Sequence, residues 1–226
     1  MTRAALLDDV PHLYTGTAEG DLSTTAPGRS VALAAVLRRL GSTGPIAFSR
    51  QVHGNAVRVV ERATPGALAW PEEDADAMIT RDPGVVLAVR VADCVPILLA
   101  APGGVAAIHA GWRGTAADIT RGALAHLVAL TGCRPTDVRA SIGPAICGSC
   151  YEVGDEVVNG VAAVTPGDGW RIGPRNVDLR AANAAILRDA GVTVQIVSSC
   201  TRCGPGYWSF RRDGAAAGRQ AAVIGL

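Results

Sequence analysis

The chain has 226 residues, a net charge of +1 and 49% hydrophobic residues, enough to bury the core of one large domain. Its charges form no long block and no apolar run reaches the ~20 residues of a membrane span, which excludes nucleic acid, polyanions and membranes as partners. The chain contains no lysine, so Schiff-base, pyridoxal-phosphate and P-loop lysine chemistry are excluded as well.

Helices and strands alternate in the predicted order of elements. Helical periodicity runs over residues 29–40 and stops at Gly41. The later elements, in chain order, are strands over 46–49, 56–61 and 85–91, a hairpin over 95–108, a helix from a capping box at 115–118 to residue 130, a strand over 138–142, a helix over 154–164, a helix capped by Asp178 that runs to residue 190, and strands over 193–198 and 220–224. Without a linker or repeat, they predict a single α+β domain over residues 1–226, with mixed β-sheets flanked by about four helices.

The hairpin brings a thiol and an imidazole together. We predict two strands joined by the four-residue loop 100–103, which puts Cys94 directly opposite His109. Directly opposed residues have Cβ atoms roughly 4.5–5.5 Å apart. Pro96 disfavours this pairing in a central strand, because it cannot donate a hydrogen bond, and instead indicates an edge strand or a bulge.

A second imidazole, His53, lies in a glycine-flanked polar turn. Two imidazoles and one thiolate, with a fourth position left to water or substrate, match the ligand count of catalytic zinc. Two alternatives remain open. Cys94 and the histidines are core groups in the first; in the second, a metal-free enzyme uses Cys94 as nucleophile and His109 as its base.

Aspartates and arginines surround these positions. Asp76 and Asp93 are candidates for partners of the ligand residues or for a general base, with turn capping as the alternative. Arg113 and the pair Arg211 and Arg212 are candidates for binding phosphate or another anion, with surface ion pairs as the alternative. Arg50 is a further arginine that could supply this charge.

Two CxxC motifs remain, formed by Cys147 with Cys150 and by Cys200 with Cys203. Their separation of ~50 residues is wider than in a usual zinc ribbon. We expect no disulfide in a cytosolic protein of this size. Free thiols that line a pocket are the prediction, with a second structural metal site or a redox pair as alternatives.

Several of these motifs together resemble the bacterial laccase-domain family, also called YfiH-like, whose members have been described as polyphenol oxidases, purine nucleoside phosphorylases and peptidoglycan editing factors. The resemblance runs from about residue 45 to the C-terminus through segments 51–54, 74–77, 92–94, 109–114, 143–144, 150–154 and 209–213. It implies an α+β fold of mixed sheets and a zinc held by His53, Cys94 and His109. The four histidines of the chain are too few for copper-based laccase chemistry.

The resemblance implies a zinc-dependent purine nucleoside phosphorylase with accompanying adenosine deaminase activity. The catalytic residues it suggests are Cys94, His109 and Asp93, and the substrate-binding residues are Arg50, Arg113, Arg211, Arg212 and Asp76. We expect a cytoplasmic monomer that acts on a purine nucleoside and phosphate. A peptidoglycan-precursor editing hydrolase, a metal-free thiol hydrolase and a non-enzymatic protein with a vestigial site are the alternatives.

The resemblance fails near the N-terminus, where the family usually carries an arginine and this chain has Gly16. Such an arginine is a natural anion-binding group at the mouth of the site. We therefore expect its replacement to weaken phosphate binding and to favour water as the attacking group.

Overall fold

The computed structural model describes residues 1–61 and 73–226 and confirms an α+β fold with mixed sheets. Its strands are β1 (His12–Tyr14), β2 (Ile46–Ala47), β3 (Val57–Val59), β4 (Ala77–Thr80), β5 (Val86–Val91), β6 (Val95–Ala101), β7 (Gly104–Ala110), β8 (Arg139–Ile142), β9 (Arg171–Gly173), β10 (Asn176–Val177), β11 (Thr193–Ile196) and β12 (Gln220–Gly225). Its helices are α1 (Arg29–Leu40), α2 (Trp112–Ala116), α3 (Ile119–Thr131), α4 (Asp155–Ala162), α5 (Leu179–Asp189) and α6 (Phe210–Asp213). No helix in the described ranges is long and apolar enough to cross a membrane.

The strands form two large sheets and a small hairpin. The six-stranded sheet has the order β11-β8-β6-β7-β4-β3, the four-stranded sheet has the order β1-β12-β5-β2, and β9 pairs with β10. In the six-stranded sheet β11 runs parallel to β8 while β6 and β7 are antiparallel. In the four-stranded sheet β2 runs parallel to β5 and β12 antiparallel to it. Both sheets are therefore mixed, as predicted.

The central hairpin of β6 and β7 is buried on both faces. Successive side chains of a strand point to opposite faces of the sheet. Leu98 belongs to the core cluster that contains Leu87 of the four-stranded sheet, whereas Ile97 belongs to the cluster that contains Leu127 of α3 and Leu187 of α5. Each such side chain contributes about 1.5–3 kcal/mol when fully buried. Burial on both faces explains why the hairpin sequence is apolar throughout, and it makes the hairpin a rigid base for the residues at its open end.

The register of this hairpin differs by two residues from the prediction. Ala101 pairs with Gly104 and Pro96 pairs with His109, because β6 extends into the predicted loop as far as Ala101 and leaves a two-residue turn. Cys94 therefore does not lie directly opposite His109, and that prediction is wrong. A shift by an even number of residues keeps both side chains on one face, as diagonal neighbours.

Pro96 lies in a central strand, not in the edge strand that its chemistry suggested. β6 pairs with β7 on one side and with β8 on the other. Pairing with β8 begins at Ile97, opposite Ile142 at the end of β8. The Pro96 carbonyl accepts a hydrogen bond from Gly143 N (2.9 Å) just beyond that end. The sheet tolerates the proline because its missing N–H falls where the ladder with β8 ends.

Two predicted helices have the expected bounds and a third does not. α1 ends before Gly41, and the Asp178 side chain caps α5 by accepting hydrogen bonds from Arg180 N (2.9 Å) and Ala181 N (3.2 Å). The predicted helix from the capping box at 115–118 is instead divided into α2 and α3. Asp118 separates them with a left-handed φ of 59° and makes no cap bond, so the capping box was wrong. Neither β1 nor the hairpin of β9 and β10 was predicted.

Candidate active site and metal centre

Three side chains from separate segments converge at the open end of the hairpin. His109 is near the end of β7, Cys94 directly precedes β6, and His53 lies in the turn between β2 and β3. One ligand atom from each lies within 4.8 Å of the others. Cys94 Sγ is 3.9 Å from His53 Nε2, and the two imidazole rings meet edge to face with centroids 4.8 Å apart. We call these three residues the cavity cluster.

A fully buried carboxylate, Asp76, holds both histidines in place. Its Oδ1 accepts hydrogen bonds from His109 Nδ1 (2.7 Å) and His53 N (3.0 Å), and its Oδ2 accepts from Gly54 N (2.7 Å) and Val52 N (3.2 Å). Donation from Nδ1 leaves Nε2 of His109 available as a ligand atom. The backbone bonds also stabilise His53 in its left-handed conformation, with φ 61°.

Charges within the cavity cluster favour a thiolate beside an imidazolium. Burial raises the pKa of the Cys94 thiol, but the charge of His109 and hydrogen bonds from both histidines outweigh burial and lower this pKa to about 6. Burial lowers the pKa of His109, but the Cys94 thiolate and the Asp76 carboxylate raise it to about 9. The thiolate is the form of cysteine that binds metals and attacks electrophiles.

The donor set of the cavity cluster fits zinc with one open coordination position. Two imidazole nitrogens and one thiolate are protein ligands that catalytic zinc takes, and a carboxylate behind a histidine is their usual support. Gly111 keeps the space beside these donors clear, because a Cβ atom there would lie 3.0 Å from His53 Cδ2 and 3.1 Å from Cys94 Sγ. All three residues line one cavity, so a fourth ligand could enter from it.

This cavity has a volume of about 1000 Å³ and aromatic walls formed by Trp112, Tyr151 and Phe210. Its size is that of a small-molecule pocket. The Phe210 side chain is 54% exposed, and an exposed aromatic face in a cavity can stack on a planar ring. The sequence analysis did not predict these aromatic residues as part of the site. Each of them lies in a segment that carries the family resemblance, next to a charged or metal-binding residue that was predicted.

Arginines give the cavity an excess of positive charge. Those that line it are Arg50, Arg90, Arg211 and Arg219, and Asp93 is the one acidic residue among the described lining residues. Guanidinium groups bind phosphate through paired hydrogen bonds, so this cavity favours an anion. Sequence reasoning missed Arg90 and Arg219, which belong to no motif.

Arg50 and Arg211, both predicted to bind the substrate, lie at the cavity. The Arg50 side chain also pairs with the Asp74 carboxylate. Arg211 donates a hydrogen bond from Nη1 to Glu152 O (3.0 Å), and its guanidinium lies 4.9 Å from the Tyr151 ring centroid. Arg211 therefore presents its charge beside an aromatic wall of the cavity.

Arg113 and Arg212, the other two predicted arginines, are held elsewhere. The Arg113 guanidinium lies over the Trp112 ring, 4.3 Å from its centroid. Arg212 donates to both carboxylate oxygens of Asp213 (2.8 Å each) and to the Tyr207 carbonyl (2.9 Å). Neither residue lines the cavity. Local partners therefore engage both guanidinium groups, and their binding of substrate stays a prediction.

The carboxylates of the two predicted aspartates, Asp93 and Asp76, accept hydrogen bonds from groups of the protein itself. Asp93 has a left-handed φ of 88°; its Oδ1 accepts from Thr201 Oγ1 (2.6 Å) and its Oδ2 from Arg211 N (2.6 Å). It thereby ties the start of α6 to the open end of the hairpin. Asp76 is bonded to His109 and is not among the residues that line the cavity, which matches the predicted partner of a ligand residue, while its predicted contact with the substrate stays a prediction.

The N-terminal departure from the family pattern has a steric reason. A Cβ atom at Gly16 would lie 2.4 Å from the carbonyl oxygen of Gly206. This conformation therefore has no room for an arginine at position 16. Arg90 and Arg219 place positive charge at the cavity from other parts of the chain.

Only half of the histidines are near the cavity. His12 is buried and accepts a hydrogen bond from Ala4 N (2.8 Å). His126 lies on α3 and is bonded to the Gly122 carbonyl (2.8 Å). The imidazoles at the site are those of His53 and His109.

The two CxxC motifs also converge. Cys147, Cys150, Cys200 and Cys203 each place Sγ within 4.8 Å of the others. None of the four lines the large cavity. We call these four residues the cysteine cluster; its thiols lie close to one another.

A family model described as multi-copper polyphenol oxidoreductase laccase matches residues 20–226. The chain belongs to this laccase-like family. Laccase-like relatives include a purine nucleoside phosphorylase of Deinococcus radiodurans, 43% identical over 181 residues that cover 78% of this chain and 68% of the relative. A purine nucleoside phosphorylase of Mycobacterium bovis is 36% identical over 210 residues, covering 91% and 81%. Adenosine deaminase RL5, from an unidentified prokaryote, is 38% identical over 195 residues, covering 77% and 72%.

Solved structures of laccase-like proteins share the fold. YlmD from Geobacillus stearothermophilus superposes with a TM-score of 0.84 and 28% identity, covering 98% of this chain and 93% of that chain. YfiH from Bacillus licheniformis superposes with a TM-score of 0.79 and 30% identity, covering 88% and 80%. The predicted family and fold are confirmed.

Proposed function

We propose that this laccase-like protein is a zinc-dependent purine nucleoside phosphorylase with accompanying adenosine deaminase activity. The observation that carries the proposal is the cavity cluster, three ligands that open onto a cavity lined by aromatic rings and arginines. A planar base and an anion are what such a lining binds. The names of the relatives from Deinococcus radiodurans and from the unidentified prokaryote support the same two activities.

The cavity cluster would hold the metal. When bound by His53, Cys94 and His109, zinc supplies a Lewis acid that polarises water or a phosphate oxygen. Cys94 is then a ligand and not a nucleophile. Asp76 orients the His109 ring and raises its basicity, as outer carboxylates do for ligand histidines.

The remaining residues position the substrate. Arg50 and Arg211 bind the phosphate, and Asp93 orients Arg211 by accepting its backbone N–H (2.6 Å). Phe210 and Tyr151 stack on the purine. In phosphorolysis a phosphate oxygen bonds to C1′ of the ribose as the bond to the base breaks, and the base leaves with a proton. In deamination, water adds to C6 of adenine and ammonia leaves.

A metal-free thiol hydrolase is the second candidate, and the ionised state of the cavity cluster favours it. The pKa of Cys94 is lowered to about 6 and that of His109 is raised to about 9. A thiolate beside an imidazolium is the resting state of many cysteine nucleophiles. In that enzyme Cys94 attacks the substrate carbonyl and His109 protonates the leaving group.

Metal analysis followed by nucleoside assays tests the proposal. We expect the purified protein to contain zinc, to release base from inosine only when phosphate is present, and to convert adenosine to inosine without phosphate. A chelator should abolish both activities and added zinc should restore them. The Cys133→Ser variant, which touches neither cluster, is the control.

Two outcomes would contradict this assignment. Activity that survives the chelator but is lost on alkylation of Cys94 would establish the thiol hydrolase. Cleavage of muramyl peptides in the absence of nucleoside turnover would establish a peptidoglycan-editing hydrolase.

A further inference from the structure

The cysteine cluster is built by the ends of two parallel strands. β8 and β11 are parallel neighbours, with Ile142 paired to Ile196 at their carboxyl ends. Each CxxC motif follows shortly after one of these ends, and the carboxyl ends of parallel strands meet at the same edge of a sheet. Thr201 N donates to the Ala145 carbonyl (3.1 Å), which extends the contact beyond the strands. We propose that these four cysteines form a second, structural zinc site with four thiolate ligands.

The ligand number supports a closed metal site. Four Sγ atoms from Cys147, Cys150, Cys200 and Cys203 lie within 4.8 Å of one another, and structural zinc is bound tetrahedrally by four protein ligands, often all cysteine. Four protein ligands leave no position for water or substrate. The cysteine cluster also lies outside the cavity lining, so a metal there would brace the fold and take no part in nucleoside chemistry.

The backbone around the thiols has the tight turns that a CxxC metal site needs. Cys150 N donates to Cys147 O (2.9 Å) and Gly204 N donates to Cys200 O (2.9 Å). A Cβ atom at residue 204 would lie 2.5 Å from Cys200 O, so the second turn requires a glycine. Cys147 N donates to Cys200 Sγ (3.3 Å). An N–H directed at sulfur stabilises the thiolate that zinc requires.

A buried arginine lies beside the cluster. Zinc with four thiolates carries two negative charges in total. Arg180 is 8% exposed and near enough to Cys147 and Cys200 for its charge to interact with theirs. It is held by the Asp178 carboxylate (2.9 Å), which also accepts from Gly148 N (3.3 Å). This arrangement places a fixed cation against the cluster and anchors the first CxxC turn to the start of α5.

A metal here would join two segments that form the cavity wall. Cys150 precedes Tyr151, which lines the cavity. Cys200 precedes Thr201, whose hydroxyl donates to Asp93 Oδ1 (2.6 Å). The zinc would thus hold Tyr151 and Asp93 at a fixed separation without touching the substrate.

Zinc stoichiometry by plasma mass spectrometry tests this site. We expect two zinc ions per chain in the wild type purified under reducing conditions, and two in the Cys133→Ser control. Cys203→Ser should retain one zinc, at the cavity cluster, and Cys94→Ala should retain one, at the cysteine cluster. Cobalt bound to Cys94→Ala should show the intense thiolate-to-metal charge transfer of four sulfur ligands.

The rate of Cys203 alkylation in the wild type tests the same site without a variant, and so applies even if Cys203→Ser does not fold. The Cys203 side chain is exposed, so iodoacetamide can reach it, and a bound metal should protect it from alkylation. We expect a chelator to accelerate its alkylation about tenfold or more. Fast alkylation of zinc-supplied protein, a single zinc that Cys94→Ala abolishes, or disulfides among the four cysteines under reducing conditions would each overturn the site. Nucleoside turnover is not part of this test, so its outcome is separate from that of the proposed function.

Discussion

The cavity cluster offers three protein ligands, whereas the cysteine cluster offers four. The first combines two imidazoles with one thiolate and opens onto the large cavity; the second is all thiolate and lies away from that cavity. Reactive zinc needs an open coordination position and structural zinc does not. The number of protein ligands therefore separates a centre that can act on a substrate from one that can only brace the chain.

The two clusters also differ in how their ligands are oriented. Asp76 fixes the His109 ring through a 2.7 Å hydrogen bond to Nδ1. Within residues 1–61 and 73–226, no carboxylate is bonded to a ligand side chain of the cysteine cluster; its sulfurs are oriented by tight turns and by the Cys147 N–H. A carboxylate raises the basicity of a histidine ligand, while a backbone N–H lowers the charge on a sulfur. If both clusters bind zinc, the first arrangement would favour a reactive ion and the second an unreactive one.

Removing the thiolate of the cavity cluster should have the largest effect. Cys94→Ala takes away one of the three candidate zinc ligands, so we expect loss of one zinc and a fall in kcat/KM for inosine phosphorolysis of about 10³-fold or more. Steady-state kinetics with metal analysis measure both. Cys133→Ser serves as the control. Near-normal turnover by Cys94→Ala would contradict a catalytic role for the cavity cluster and with it the difference between the two clusters.

Weakening the support behind His109 should cost less than removing a ligand. Asp76→Asn keeps the shape but loses the charge, and we expect metal affinity or activity to fall by about 10–100-fold. Asp137→Asn is a matched change on the surface, where Asp137 pairs with Arg134, and it should leave both unchanged. Zinc affinity from competition with a chelator provides the measurement; equal behaviour of the two variants would remove Asp76 from the site.

Arg211 and Arg212 are neighbours in the short helix α6, and we expect the first to bind substrate and the second to stabilise the fold. Arg211 lines the cavity, so Arg211→Ala should raise KM for phosphate about tenfold, the effect of losing ~1.5 kcal/mol from one charged hydrogen bond. Arg212 is bonded to Asp213 and the Tyr207 carbonyl, so Arg212→Ala should lower Tm and leave that KM unchanged. Initial rates at varied phosphate and thermal unfolding distinguish them; the reverse pattern would exchange their roles.

Local signals predicted α1 and α5 well because periodicity and the Asp178 cap are properties of neighbouring residues. The hairpin register failed because turn length is not marked in the sequence when alanines continue the strand into the loop. The pairing of Cys94 with His109 survived as a diagonal contact since the error was an even number of residues. The cavity cluster could therefore be predicted in composition but not in geometry.

The remaining features could not be predicted from the sequence because they depend on contacts between segments that are far apart in the chain. Arg90 and Arg219 carry no motif, and only the pairing of β5 with β12 brings their segments together, with Gln220 opposite Val91. The wide spacing of the CxxC motifs argued against a shared site. Parallel pairing of β8 and β11 brings the two motifs together in space. The residues around each motif do not indicate this pairing.

The smallest expected effect concerns the cap beside the cysteine cluster. Burial raises the pKa of Asp178, but the ion pair with Arg180 and N–H bonds from Ala181 and Gly148 outweigh burial and hold this pKa below its usual value. A carboxyl with a lowered folded-state pKa contributes stability above its unfolded pKa of about 4 and loses it as the pH falls through the folded value. Asp178→Asn keeps a capping oxygen but removes the negative charge that accepts the hydrogen bonds from Arg180, so it should destabilise the protein by about 1 kcal/mol at pH 7, and the difference from wild type should shrink below about pH 4. Urea unfolding from pH 7 down to acid measures this difference, with Asp168→Asn, a change at an exposed position, as control. A difference that stays constant with pH would show that the Asp178 cap acts by shape alone and that its charge does not support the turn that carries Cys147.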